Sequence, residues 1–277
     1  MKYRILIILF ICIFVCTIVF SLFLEKNDNI NTNIINDLFH TQPLYDDDLK
    51  MNKDNMLYNL GDLLLVPKLY GYSEWINVKE HSNYKKTINT YKNSILSYYD
   101  KSRKSPNEEI PNFNTIQKSI DFYIEKNVEN ERLAQILNFI DNKRVVCVHL
   151  RTGDFGDVEP KMRETIKELQ KQYDYVIIIC GLHYKTEEVN NIFIDNINSF
   201  FEDEHTNILI SIEDADFHMA MYRKCKNLLV HKGGFTVLAS ISFQGDNLYI
   251  IPDIFTAHTV LTTHFKTEKI NVVYITE

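Results

Sequence analysis

Short, unbroken apolar runs recur through the second half of the chain, each closed by polar or glycine residues. Residues 145–150 (VVCVHL), 175–180 (YVIIIC), 207–212 (NILISI), 227–231 (NLLVH) and 247–251 (NLYII) have this form. Runs of this length without polar alternation predict strands buried on both faces. Between them lie stretches with helical spacing. A helix is predicted near 160–172 with Pro160 in its first turn, and another near 187–201 with Thr186 as N-cap. A third starts at about 217 behind Asp216 as cap, and a fourth grows out of GGFTVLASISF, residues 233–243. Strands alternating with amphipathic helices predict a parallel sheet covered on both faces, whose ligands bind at the carboxyl ends of the strands.

Upstream the pattern is helical. Leu63 to Val66 suit one short strand after Gly61. Tyr84, Ile88, Tyr91, Ile95 and Tyr98 share a helical face, and Pro106 and Pro111 mark a loop. A further helix fits 115–140, with Ile116, Ile120, Tyr123, Leu133, Ile136 and Ile140 on its apolar side. No internal repeat or low-complexity tract breaks this order.

The first residues stand apart. Ile5 to Leu24 is an uncharged run of twenty residues, and about twenty residues at 1.5 Å each cross a roughly 30 Å hydrocarbon core. A cleaved signal has a shorter apolar region and small residues at its end; this run ends Phe20-Ser21-Leu22-Phe23-Leu24. Lys2 and Arg4 precede it, while Glu25, Asp28 and Asp37 follow, which keeps the N-terminus cytosolic. The expected organisation is a cytosolic tail (1–4), a transmembrane signal anchor (5–24), a polar stem (25–55), a smaller helix-rich acceptor-side domain (56–143) and a Rossmann-like domain (144–277). That makes a single-pass type II membrane protein facing an ER- or Golgi-type lumen.

Charge narrows the partners. A net charge of −7 and a pI near 5.7 leave no electrostatic footprint for nucleic acid. Cys12 and Cys16 fall in the anchor. Cys147, Cys180 and Cys225 have no metal-type spacing, and Cys147 and Cys180 sit in apolar runs, where a thiol packs as a small hydrophobe. No N-glycosylation sequon occurs.

Polar residues gather where the predicted strands end. The first strand delivers His149, Arg151, Gly153 and Asp154; the second Gly181 and His183; the third Glu213, Asp214 and Asp216; the fourth His231, Lys232, Gly233 and Gly234. The planar fork of Arg151 matches phosphate oxygens and keeps its charge, although a salt bridge to Asp154 or Asp157 would also explain it. In HKGGFT two glycines let backbone N–H groups approach an anion at a helix start, with Thr236 as a further donor; a tight strand-to-helix turn is the plainer explanation. Asp216 suits a helix cap or a ligand contact. Asp154, and after it His149, could serve as general base, or His149 could bridge loops under the site. There is no Walker pattern and no G-x-G-x-x-G. No cluster has metal-ligand spacing, unless Asp214-Ala215-Asp216 counts.

VHLRTGD, residues 148–154, resembles the H-x-R-x-G-D motif of the α-1,2-fucosyltransferases and the wider GDP-fucose transferase superfamily. DFHMAMYRKCKNLLVHKGGFTVLASI, residues 216–241, is similar to the later block of that group, with Asp216, Cys225, Lys226, Phe235 and Thr236 at corresponding places. The resemblance covers roughly residues 144–252. It implies a GT-B fold, a GDP-sugar donor held by the C-terminal half, no essential metal or other cofactor, and an Arg151 that neutralises the diphosphate of the leaving GDP. The Ser-Asp-Asp that the group carries after its second strand is here Cys180-Gly181-Leu182-His183, and the tryptophans of its last turn are missing. The expectation is an inverting transferase moving fucose from GDP-fucose to a glycan or glycoprotein acceptor. The alternatives are a transferase using another nucleotide sugar and a tethered nucleotide- or glycan-binding protein without catalysis.

Overall fold

A computed structural model describes residues 34–45, 113–152, 156–181, 187–202, 207–213, 215–232, 234–251 and 270–275. The chain divides after Thr41 into two compact units. In the first, residues 34–38 form a short helix, and the Thr41 hydroxyl donates to Asn36 Oδ1 at 2.7 Å. The expected anchor (5–24), the strand at 63–66 and the helix at 84–98 lie outside the described residues. Among the described residues no helix is long and apolar enough to cross a membrane.

The sequence pattern translates into α1 (Phe113–Lys126), α2 (Glu131–Asn142), β1 (Val145–His149), α3 (Pro160–Gln170), β2 (Tyr175–Ile179), α4 (Glu187–Asn198), β3 (Ile208–Ser211), α5 (Ala215–Lys224), β4 (Asn227–Val230), α6 (Gly234–Ser242), β5 (Asn247–Ile250) and β6 (Asn271–Tyr274). The strands form one sheet in the order β3-β2-β1-β4-β5-β6, and every pairing is parallel. This is the doubly wound Rossmann order. Two crossovers carry the chain outward from β1 to β3, and it then returns past β1 to build the other half. Right-handed crossovers running in opposite directions place their helices on opposite faces.

Strand alternation matches that layering. Val146 and Val148 of β1, Val176 and Ile178 of β2, and Ile208 and Ile210 of β3 share a core with Met162, Ile166 and Leu169 of α3 and Phe193 and Ile197 of α4. The alternate residues, such as Cys147, Ile177 and Leu228, are equally buried and face the layer containing α5. Burying each such side chain stabilises by about 1.5–3 kcal/mol. Two-sided burial is why these strands read as continuous apolar runs.

Helices α1 and α2 pack on α5, and α1 also meets α6. Arg223 of α5 grips both carboxylate oxygens of Asp121 at 2.8 and 2.7 Å, and the Gln117 amide donates to the Ile241 carbonyl at 2.9 Å. Helical cover of the sheet therefore includes residues from 113 onward, within the stretch expected to form the acceptor-side domain. The single helix expected over 115–140 is two. The Asn127 amide turns back to the Tyr123 carbonyl (2.8 Å), and Asn130, in extended conformation, caps α2 by accepting from Leu133 N–H at 3.1 Å. Local side-chain bonds of this kind compete with helix continuation.

Two further expectations change. The strand series does not close at 247–251, because β6 pairs beyond β5. Helix α5 begins at Ala215, so Asp216 lies inside its first turn and is not its cap. Thr186 lies outside the described residues. At the entry edge of the sheet, asparagines form a ladder: Asn271 donates to Asn247, Asn247 to Asn227 (both 2.8 Å), and Asn227 to the Val145 carbonyl at 3.1 Å. Gly245 precedes β5 because a Cβ there would stand 2.4 Å from the Cys225 carbonyl oxygen. Cys147, Cys180 and Cys225 are free and buried, and burial pushes the thiols of Cys180 and Cys225 far above their usual range.

Candidate functional site

Order reversal makes the site. From β1 the chain leaves toward β2, and from β4 it leaves toward β5, so the two exit loops diverge and open a crevice at the carboxyl ends. The last paired residues of β1 and β4 are Val148 and Leu229, and Arg151 and Lys232 each lie three residues beyond them. Leu150 N–H still donates to the Ile179 carbonyl (3.0 Å); Arg151, partly exposed, is the next residue out. Gly181 ends the neighbouring strand, and among the described residues an added Cβ there would meet nothing within 4 Å.

The loop that carries Arg151 is held by Asn196 of α4. The buried Asn196 amide donates to Thr152 Oγ1 (2.7 Å), to the Gly156 carbonyl (3.2 Å) and to the Ile192 carbonyl one turn back (2.8 Å). Its oxygen accepts from Val158 N–H and Arg163 Nη2, both at 2.9 Å. Arg163 also bonds Ser199 Oγ and lies over the Phe200 ring. Thr152 closes the loop by donating to the Gly156 carbonyl at 3.1 Å, and Gly156 has a φ of 75°, where a side chain would be strained. One asparagine thus meets five polar groups, its two amide hydrogens shared among three acceptors, and shapes both ends of the loop.

A second link runs between the loops. Glu159, just before α3, reaches Lys232 Nζ at 2.8 Å and His231 Nε2 at 3.2 Å, both directly after β4. The Lys232 hydrogen bond, ahead of the charges of His231 and Lys232, holds the Glu159 carboxyl below its usual pKa, against a smaller opposing push from burial. Thr236 is fully buried and donates to the Lys232 carbonyl at 2.7 Å, which fixes the turn into α6.

Beneath the crevice the sheet meets α5 through imidazoles. His149 is buried, with Nδ1 3.0 Å from the Tyr222 hydroxyl and its ring edge-on to that phenol. The bond joins β1 to α5. His218 accepts from Glu213 N–H at 3.0 Å through Nε2, and burial pushes its pKa down to about 3. The Glu213 carboxylate is engaged by Arg132 of α2 at 2.7 Å. Asp216 is buried in the first turn of α5, where negative charge suits the helix dipole. Among the described residues no three His, Cys, Asp or Glu side chains are grouped to hold a metal.

The structure therefore brings His149, Arg151, Gly181, Asp216, His231, Gly234 and Thr236 to one end of the sheet. Gly153, Asp154, His183, Asp214, Gly233 and the side chain of Phe235 lie outside its description. Sequence reasoning missed Glu159, Asn196 and His218. Only Glu159 carried a signal, as a carboxylate placed just before a helix-opening proline; the other two sit mid-helix, where polar residues are ordinary.

Fold and site together define a Rossmann-type α/β domain with a cation-bearing crevice at its switch point. No family model and no curated protein matches the chain. Among solved structures it is similar to one from Listeria monocytogenes described as a UDP-N-acetylglucosamine 2-epimerase, at 14% identity and a TM-score of 0.30, over 54% of this chain. The match spans 43% of that protein, less than half its length.

Proposed function

We propose that the protein is a membrane-anchored, inverting glycosyltransferase of GT-B type, moving fucose from GDP-fucose to a hydroxyl of a glycan or glycoprotein on the lumenal side. The observation that carries this reading is Arg151, at the carboxyl end of β1 beside the switch point, within a segment that resembles the H-x-R-x-G-D motif. Glycosyl transfer breaks the bond between the anomeric carbon and the diphosphate, and negative charge grows on the leaving oxygen. A fixed guanidinium stabilises that charge without reorganising. The start of α6 at Gly234 supplies backbone donors and a favourable dipole for the same anion.

In one displacement the acceptor oxygen bonds to the anomeric carbon, GDP leaves with the electron pair, and a base takes the hydroxyl proton. Asp154 is the base in this reading. His149, the second candidate base, is buried and bonded to Tyr222. Cys180-Gly181-Leu182-His183, in place of the group's Ser-Asp-Asp, favours a donor pocket of altered shape. Another nucleotide sugar, or binding without turnover, is the competing outcome.

A thermal-shift screen of the full chain in detergent against GDP, UDP, CMP and their sugars tests the donor. Stabilisation by GDP and GDP-fucose is expected; stabilisation by UDP or CMP compounds alone defeats the fucosyl reading. Arg151→Ala should lower kcat/KM by on the order of a hundredfold or more. Unchanged transfer by that variant would remove Arg151 from the mechanism. Nucleotide binding without turnover over a donor and glycan panel would leave a binding protein.

A further inference from the structure

Glu159 occupies the residue before α3 yet makes no side-chain cap hydrogen bond there. Its carboxylate spans to the other loop instead, taking Lys232 with one oxygen and His231 with the other. The Lys232 ammonium and the His231 imidazole are the more enclosed partners: these side chains are 19% and 10% exposed, and that of Glu159 is 45%. Moving an ammonium this far out of water is costly unless an anion accompanies it. Lys232 also has its carbonyl tied by Thr236, so its backbone is fixed while its side chain can exchange partners. The exchange site directly follows β4, the strand paired with β1, and Arg151 directly follows the end of β1.

We propose that Glu159 is an internal stand-in for the diphosphate of the donor: Lys232, with His231, is a phosphate-binding cation, and donor binding moves Lys232 from the Glu159 carboxylate to phosphate oxygens. This deepens the reading above and rests on it. Glu159 offsets the charge of Lys232 and competes with the incoming anion, so it sets affinity downward. No covalent bond changes; one charge-assisted hydrogen bond is traded for another.

The sign of the Glu159 effect is the test. The full chain in detergent is titrated with GDP and with inorganic pyrophosphate by calorimetry at fixed ionic strength. Glu159→Gln removes the competing charge but keeps an acceptor for Lys232, and should bind both ligands about two- to fivefold tighter. Lys232→Met should bind both on the order of tenfold or more weakly. Placing Glu159→Gln in the Lys232→Met background should recover little, because the exchanged cation is gone. A bridge that served only to join the loops would give equal or weaker binding in Glu159→Gln with a lower melting temperature, and that result overturns the inference. Unaltered GDP affinity in Lys232→Met also overturns it while leaving the donor reading intact. Wild-type protein that binds neither GDP nor pyrophosphate defeats both.

Discussion

Replacing Asn196 by alanine would empty a position where five polar groups converge. Three bonds run from its amide to Thr152, Gly156 and Ile192, and two reach its oxygen from Val158 N–H and Arg163. The Ile192 bond is local to α4, and the carbonyl retains its helical partner. Thr152 keeps its bond to the Gly156 carbonyl. The serious losses are the buried Val158 N–H, whose desolvation without a partner costs about 1–3 kcal/mol, and the charge-assisted Arg163 bond, worth roughly 1.5–3 kcal/mol. Arg163 retains Ser199 and Phe200, so the lower half of its range applies. A loss of about 3–4 kcal/mol follows, a large share of an ordinary domain's stability. The same bonds shape the loop carrying Arg151, so nucleotide affinity should fall as well, by on the order of tenfold, in protein that is still folded. Urea unfolding followed by far-ultraviolet circular dichroism measures the first quantity, and calorimetric titration with GDP the second. A loss below about 1 kcal/mol, or full destabilisation with unchanged affinity, would refute the assignment of Asn196 as the residue that positions this loop.

Other perturbations probe the frame around the site. Gly245→Ala sets a Cβ against the Cys225 and Lys226 carbonyls and should cost about 2 kcal/mol or more, lowering the melting temperature; a melting temperature within a degree or so of wild type would contradict that close approach. Asn247→Asp removes the donor to Asn227 Oδ1 and sets a carboxylate against it, so it should destabilise more at pH 7 than Asn247→Ala, a ranking that denaturant midpoints check. His218 is held neutral with its pKa at about 3, so the unfolded chain binds a proton that the folded protein refuses. Stability should therefore fall as pH drops below the ordinary histidine value of about 6.5, by up to about 1.4 kcal/mol per pH unit, until about pH 3. His218→Gln should flatten that slope; an identical pH profile would show that His218 does not contribute it.

Five strands were legible because burial on both faces leaves a local signature: Val145–His149, Tyr175–Ile179, Ile208–Ser211, Asn227–Val230 and Asn247–Ile250 each lie within an apolar run. Pro160 announced the start of α3 for an equally local reason, its fixed φ. The last strand, Asn271–Tyr274, was missed because its residues are exposed or half-buried, which leaves too short a pattern to separate from a loop. The break between α1 and α2 was missed although Asn127-Val128-Glu129-Asn130 interrupts the apolar spacing between Tyr123 and Leu133. Arg151 was found because an arginine at the end of an apolar run conflicts with its surroundings.

By itself, the sequence determined what lies near in chain: the alternation of strands and helices, the burial of Cys147 and Cys180, and the polar residues at strand ends. Only the tertiary structure decided which strand ends share a crevice, since pairing order depends on crossovers that no local period encodes. It also gave Glu159 and Asn196 their roles. Glu159 meets cations 72 and 73 residues further along, and Asn196 meets a loop 38 to 44 residues earlier. A carboxylate or an amide acquires chemistry from the partner that folding brings to it, and the partner is not written beside it in the chain.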